Sequence, residues 1–81
     1  MSQTIILKNP VRLLRKAFEE VTNKLLCQAQ EVIPAGTRME ISEPFEMVYD
    51  HRRQWVVSTV IDAEVFYMIL GELGNLSELT P

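Results

Sequence analysis

The sequence predicts a small α+β domain of order β-α-β-β-β-α, in which a mostly antiparallel sheet is crossed by one long amphipathic helix and followed by a short C-terminal helix. Three observations predict it. Apolar residues recur at helical spacing from Asn9 to Val32, apolar and polar residues alternate over 37–42 with further β-rich runs at 45–61, and turn-forming residues separate these stretches.

Taken in order, Thr4-Ile5-Ile6-Leu7-Lys8 is a β-branched, apolar run that stops at Asn9-Pro10 and reads as a first strand. Asn9 suits a helix N-cap and Pro10 the first helical position, where its fixed φ helps and its missing N–H costs nothing. Val11, Leu14, Phe18, Val21, Leu25 and Val32 then recur at spacings of three, four and seven, with Gln28 in the one polar slot. Leu13, Ala17, Leu26 and Ala29 widen this seam into the broad stripe of a helix packed on a sheet. Such a helix is roughly 33 Å long and spans the whole domain. It ends at Ile33-Pro34-Ala35-Gly36, because a residue before proline is pushed out of the α region.

Residues 37–42 alternate strictly, Met39 and Ile41 against Arg38 and Glu40, as a half-exposed strand does. Phe45 to Tyr49 and Gln54 to Ile61 form a hairpin around the polar tip Asp50-His51-Arg52-Arg53, with Tyr49 opposite Gln54. That register puts Phe45, Met47, Tyr49, Val56 and Val60 on one face and Val48, Trp55, Val57 and Ile61 on the other, so both faces are apolar. Asp62 is placed to cap a helix from Ala63 to about Leu70, and the leucines at 73, 76 and 79 follow as irregular chain or a single helical turn. A long helix covers one sheet face. The second face calls for the C-terminal helix or another chain, most simply a second copy in a dimer.

The chain has 81 residues, which allows one domain over 1–81. A chain this short hides only about 60–65% of its unfolded surface, so the core is thin. With 47% hydrophobic and 23% charged residues it belongs among folded chains, not disordered ones. A lone cysteine, the lack of a cleavable signal pattern and the absence of an apolar run near 18 residues point to a reducing, cytoplasmic setting away from the membrane. Net charge is −3, unevenly spread: five basic and two acidic residues through Lys24, four acidic and none basic from Ile61 onward. Such asymmetry is either solvent-facing charge or an electrostatic handle for a partner or a head-to-tail neighbour.

Little in the sequence points to catalysis. One cysteine and one histidine, far apart, make no zinc site, and no glycine-rich loop is present to hold phosphate, so neither metal nor cofactor is expected. Cys27 reads as an inert thiol on the helix's polar side, and His51 as a loop residue near Asp50. The expected function is therefore a non-enzymatic protein–protein interaction module, a small accessory, adaptor or inhibitor protein without a small-molecule substrate. Its binding residues are expected at the hairpin tip, where Tyr49, His51, Arg52, Arg53 and Trp55 combine aromatic area with arginine hydrogen bonding. The alternative is a nucleic-acid-binding regulator that uses Arg52 and Arg53 together with a second basic cluster, Lys8, Arg12, Arg15 and Lys16. Cations in a first helical turn oppose the helix dipole, so this cluster calls for compensation by Glu19, Glu20, the acidic C-terminal end or a partner.

Overall fold

The computed structural model describes residues 2–16, 25–26, 31–49 and 51–80. Among the described residues nine strands lie in chain order: β1 (Gln3–Ile6), β2 (Val11–Arg12), β3 (Arg15–Lys16), β4 (Leu25–Leu26), β5 (Val32–Ile33), β6 (Arg38–Ile41), β7 (Phe45–Tyr49), β8 (Arg52–Ile61) and β9 (Glu64–Ile69). Two single-turn helices follow, α1 (Leu70–Leu73) and α2 (Leu76–Leu79). The architecture is mostly β, and the α+β expectation is wrong.

The predicted helix from Asn9 to Val32 is not there. In its place the chain runs out as β2 and β3 and returns as β4 and β5, all antiparallel. Phe18, Val21, Cys27, Gln28, Ala17 and Ala29 of the expected helix lie outside the described residues. The outbound strand continues β1, and the return continues into β6. Gln3 pairs with Ile41 and Ile6 with Arg38, then Val11 with Ile33 and Arg12 with Val32, so the partner numbers add to 44 on both sides of a gap. In that register Pro10 faces Pro34. Proline has no N–H to give a ladder, so the interruption falls at the same place on both strands and one long hairpin becomes two arms. Leu7 bridges the gap by donating to Thr37 O at 3.0 Å and accepting from Gly36 N at 2.7 Å. Gly36 has φ +87°, which a glycine adopts without strain.

The second half is a meander, β7-β8-β9. Tyr49 pairs with Arg52, not Gln54, so the tip is shorter than expected and both arginines belong to β8. The predicted register was off by two residues. An even slip preserves the faces, and the assignment of side chains to each therefore holds. The predicted helix from Ala63 to Leu70 is also wrong: Asp62 and Ala63 form a tight turn, and residues 64–69 are strand β9. A continuous apolar run bounded by turns fits a strand buried on both faces as well as a helix, and here the ladder with β8 decides. Helical chain begins only at Leu70. In α2, Asn75 caps by accepting from Ser77 N at 3.1 Å.

The two halves join at two seams. Leu14 and Tyr67 exchange backbone hydrogen bonds at 2.8 Å, stitching the first hairpin to the outer edge of β9. Ser42 N donates to Ser58 O at 2.9 Å, and Thr59 Oγ1 donates to Glu40 O at 2.9 Å, holding β6 beside β8. The path β9, β8, β6, β1, β2 and back to β9 is thereby a closed circuit. Inside it lies the main core, built from Ile5, Leu7, Val11, Leu13, Ile33, Met39, Ile41, Val57, Phe66 and Met68, with Leu73 and Leu79 supplied by the helices. On the other face of the meander, Leu14, Met47, Val56 and Ile69 form a smaller cluster with Phe45, Tyr49 and Tyr67. Leu13 and Leu14 are neighbours in sequence and serve opposite clusters, as strand alternation requires. No helix among the described residues is long and apolar enough to cross a membrane.

Candidate functional site

Strand alternation divides the residues expected to form the tip site. Tyr49 and Arg52 are ladder partners on the face of Met47 and Val56, whereas Arg53 and Trp55 share the face of Val57. His51 is exposed in the loop with φ 63°. Tyr49 is half-buried, and its hydroxyl lies 3.4 Å from Arg12 Nη1, with the guanidinium 5.9 Å from the ring centre. It is occupied within the fold. The five residues do not make one surface.

What remains is a four-residue patch on β7 and β8. Trp55 is 55% exposed, faces Glu46 across the ladder, and is followed along the same face by the Val48–Arg53 pair. Arg53 and Glu46 are exposed and Val48 is half-buried. Glu46, Met47, Val48 and Arg53 line a shallow groove. The same face is covered further along, at Val57, by the first hairpin; toward the tip it is open among the described residues. A second exposed apolar pair, Val60 (66%) and Val65 (50%), sits near the opposite end of β8 on the reverse face. Trp55 thus stands out as a large aromatic held in the open by a regular ladder.

The second basic cluster is assembled differently from a phosphate site. Arg12 makes a two-pronged contact with Glu72, Nε to Oε1 and Nη2 to Oε2, both 3.1 Å. That hydrogen bonding and the carboxylate's charge hold the Arg12 guanidinium further above its ordinary range. Arg15 reaches Glu64 at 3.0 Å and Glu31 at 3.5 Å, and its guanidinium lies 4.9 Å from the Phe66 ring centre. Lys8 lies 3.7 Å from Glu78. Lys16 falls on β3. Lys8, Arg12 and Arg15 thus meet carboxylates of α2, α1 and β9 within one molecule. Glu19 and Glu20 lie outside the described residues.

No group of three or more His, Cys, Asp or Glu side chains is arranged to hold a metal ion among the described residues. Searches against protein families, curated proteins and solved structures found no match to this chain.

Proposed function

We propose that the chain is a non-enzymatic protein-interaction module, working as a small accessory, adaptor or inhibitor protein through the open face around Trp55. The exposure of Trp55 carries this reading. Burying a large aromatic ring is among the strongest contributions a protein interface receives, and tryptophan and arginine dominate the residues whose truncation weakens binding. Arg53 stands beside it, and the ladder supplies a rigid base that loses little freedom on binding. Against the nucleic-acid alternative, Lys8, Arg12 and Arg15 already meet glutamates, and breaking those pairs would offset any gain from phosphate.

Immobilised wild type and a Trp55→Ala variant of equal melting temperature, exposed to lysate of the native host at low and high salt, test the proposal. The expected result is a discrete protein, another chain or a copy of this one, retained by wild type at both salts and lost with Trp55→Ala. Identical retention by both forms, or recovery of nucleic acid that falls away steeply with salt, refutes it.

A further inference from the structure

We infer that the partner docking on the Trp55 face is a second copy of this chain, related by a two-fold axis along the diagonal from Trp55 to Val48; the inference rests on the protein-interaction reading above. The patch is a rectangle of four side chains, about 5 Å across the ladder and about 7 Å along it. Trp55 and Glu46 form one short edge, and Arg53 and Val48 the other. The apolar residues therefore occupy one diagonal, and the opposite charges occupy the other.

An interface between identical chains must be complementary to itself. Turning a copy over about the Trp55–Val48 diagonal lays Trp55 on its own image and Val48 on its own image. Glu46 then meets the partner's Arg53, and Arg53 meets the partner's Glu46. Other placements fail on charge. Turning about the strand direction sets Glu46 on Trp55 and Arg53 on Val48. Turning about the ladder direction brings Arg53 over Trp55 but seats Glu46 on Val48 without a cation, and the Arg53–Glu46 diagonal stacks like on like. A carboxylate desolvated without a partner is costly, so the first arrangement is selected. Neither Glu46 nor Arg53 has an ion pair with another described residue, so neither pair must first be broken. The contact is small, which makes the dimer weak and reversible.

Trp55 is the chain's single tryptophan, so its emission reports this contact directly. Sedimentation equilibrium and fluorescence over a concentration series up to about 1 mM are expected to show the mass rising from 9.3 kDa toward twice that, with a blue-shifted emission. Glu46→Arg and Arg53→Glu, each alone, place two like charges at both ends of the contact and are expected to weaken association about tenfold or more. Mixed in equal amounts they restore opposite charges at both ends, and association is expected to return to the wild-type level. Trp55→Ala is expected to remove it. A folding defect in a single variant does not mend on mixing, so the mixture separates interface from stability. A wild type that stays monomeric throughout, single variants that associate normally, or a mixture no better than its components overturns the inference. If wild type stays monomeric but Trp55→Ala loses a captured host protein, the second-copy assignment fails and the broader reading stands. If Trp55→Ala changes neither mass nor capture, both fail.

Discussion

Replacing Ala63 with glycine should make the domain more stable. Asp62 and Ala63 are the two-residue loop between β8 and β9, closed by the Ile61–Glu64 pair, and their φ angles are 51° and 66°. Two successive positive φ values suit the right-handed twist of a tight hairpin, but they press alanine's Cβ toward the neighbouring carbonyl. That conformation costs an ordinary L-residue about 1–2 kcal/mol. Glycine removes the strain while adding about 0.4–1 kcal/mol of unfolded-chain freedom that folding must overcome. The strain is the larger of the two, so a net gain of about 0.5–1 kcal/mol is expected, or about 2–8 °C in Tm for a chain this size. Two companion variants sharpen the test. Asp62→Gly should gain little, because aspartate tolerates this region by hydrogen bonding to its own backbone. Ala63→Val should lose stability, since a β-branched side chain fits there worst. Thermal and urea melts of the three variants give the ordering. A lower Tm for Ala63→Gly than for wild type refutes the account of this turn.

Two further outcomes follow from the packing and the charge pairs. Leu14 is fully buried and joins the first hairpin to the meander, so Leu14→Ala should cost about 3–5 kcal/mol in urea melts. A domain of this length has only about 4–12 kcal/mol in hand, so a variant with a loss under about 1 kcal/mol would contradict that seam. The Arg12–Glu72 pair is two-pronged yet half-exposed, with side-chain exposures of 47% and 31%. A double-mutant cycle with Arg12→Ala and Glu72→Ala should give a coupling of about 0.5–1 kcal/mol that shrinks as salt is added; zero coupling at low salt contradicts it.

The strands that the sequence reveals are those where alternation and location agree. In β1 and β6, Ile5, Met39 and Ile41 are buried while Arg38 and Glu40 are exposed, a period of two with one face in the core. The hairpin faces are legible for a different reason: alternation fixes them even where the loop length is off by two. The expected long helix fails although residues 9–32 satisfy a helical period and are rich in good helix formers, because Val11, Leu13 and Leu14 are buried by a strand that passes between two clusters. A strand covered on both sides loses its alternation, and only its partner identifies it. Asn9-Pro10 marks a helix start or a strand break equally well; the facing Pro34 selects the break, and pairing of that kind is invisible until the register is known. The candidate site was half legible. Trp55 and Arg53 stand out by residue type, and the strand faces already set Tyr49 opposite Trp55; the longer expected loop left Arg52 and Arg53 without a face, and the ladder assigns them to opposite ones. Val48 is on the Trp55 face in the sequence reading but not among its site residues, and Glu46 becomes the partner of Trp55 only in the observed register.

The closed circuit of strands bears on how the chain is made. Synthesis delivers the first hairpin early, with Ile5, Leu7, Val11, Ile33, Met39 and Ile41 on a single face and nothing yet to cover them. An isolated two-stranded ribbon is marginal in water, and its apolar side stays bare until β8, β9 and finally Leu79 have been translated. Most of the core therefore joins residues distant in sequence, which favours slow, all-or-none folding over assembly piece by piece. A ribosome carrying only the first half displays a sticky, unfinished surface, and the pace of elongation through residues 42–79 sets how long nascent chains remain open to chaperones and to one another.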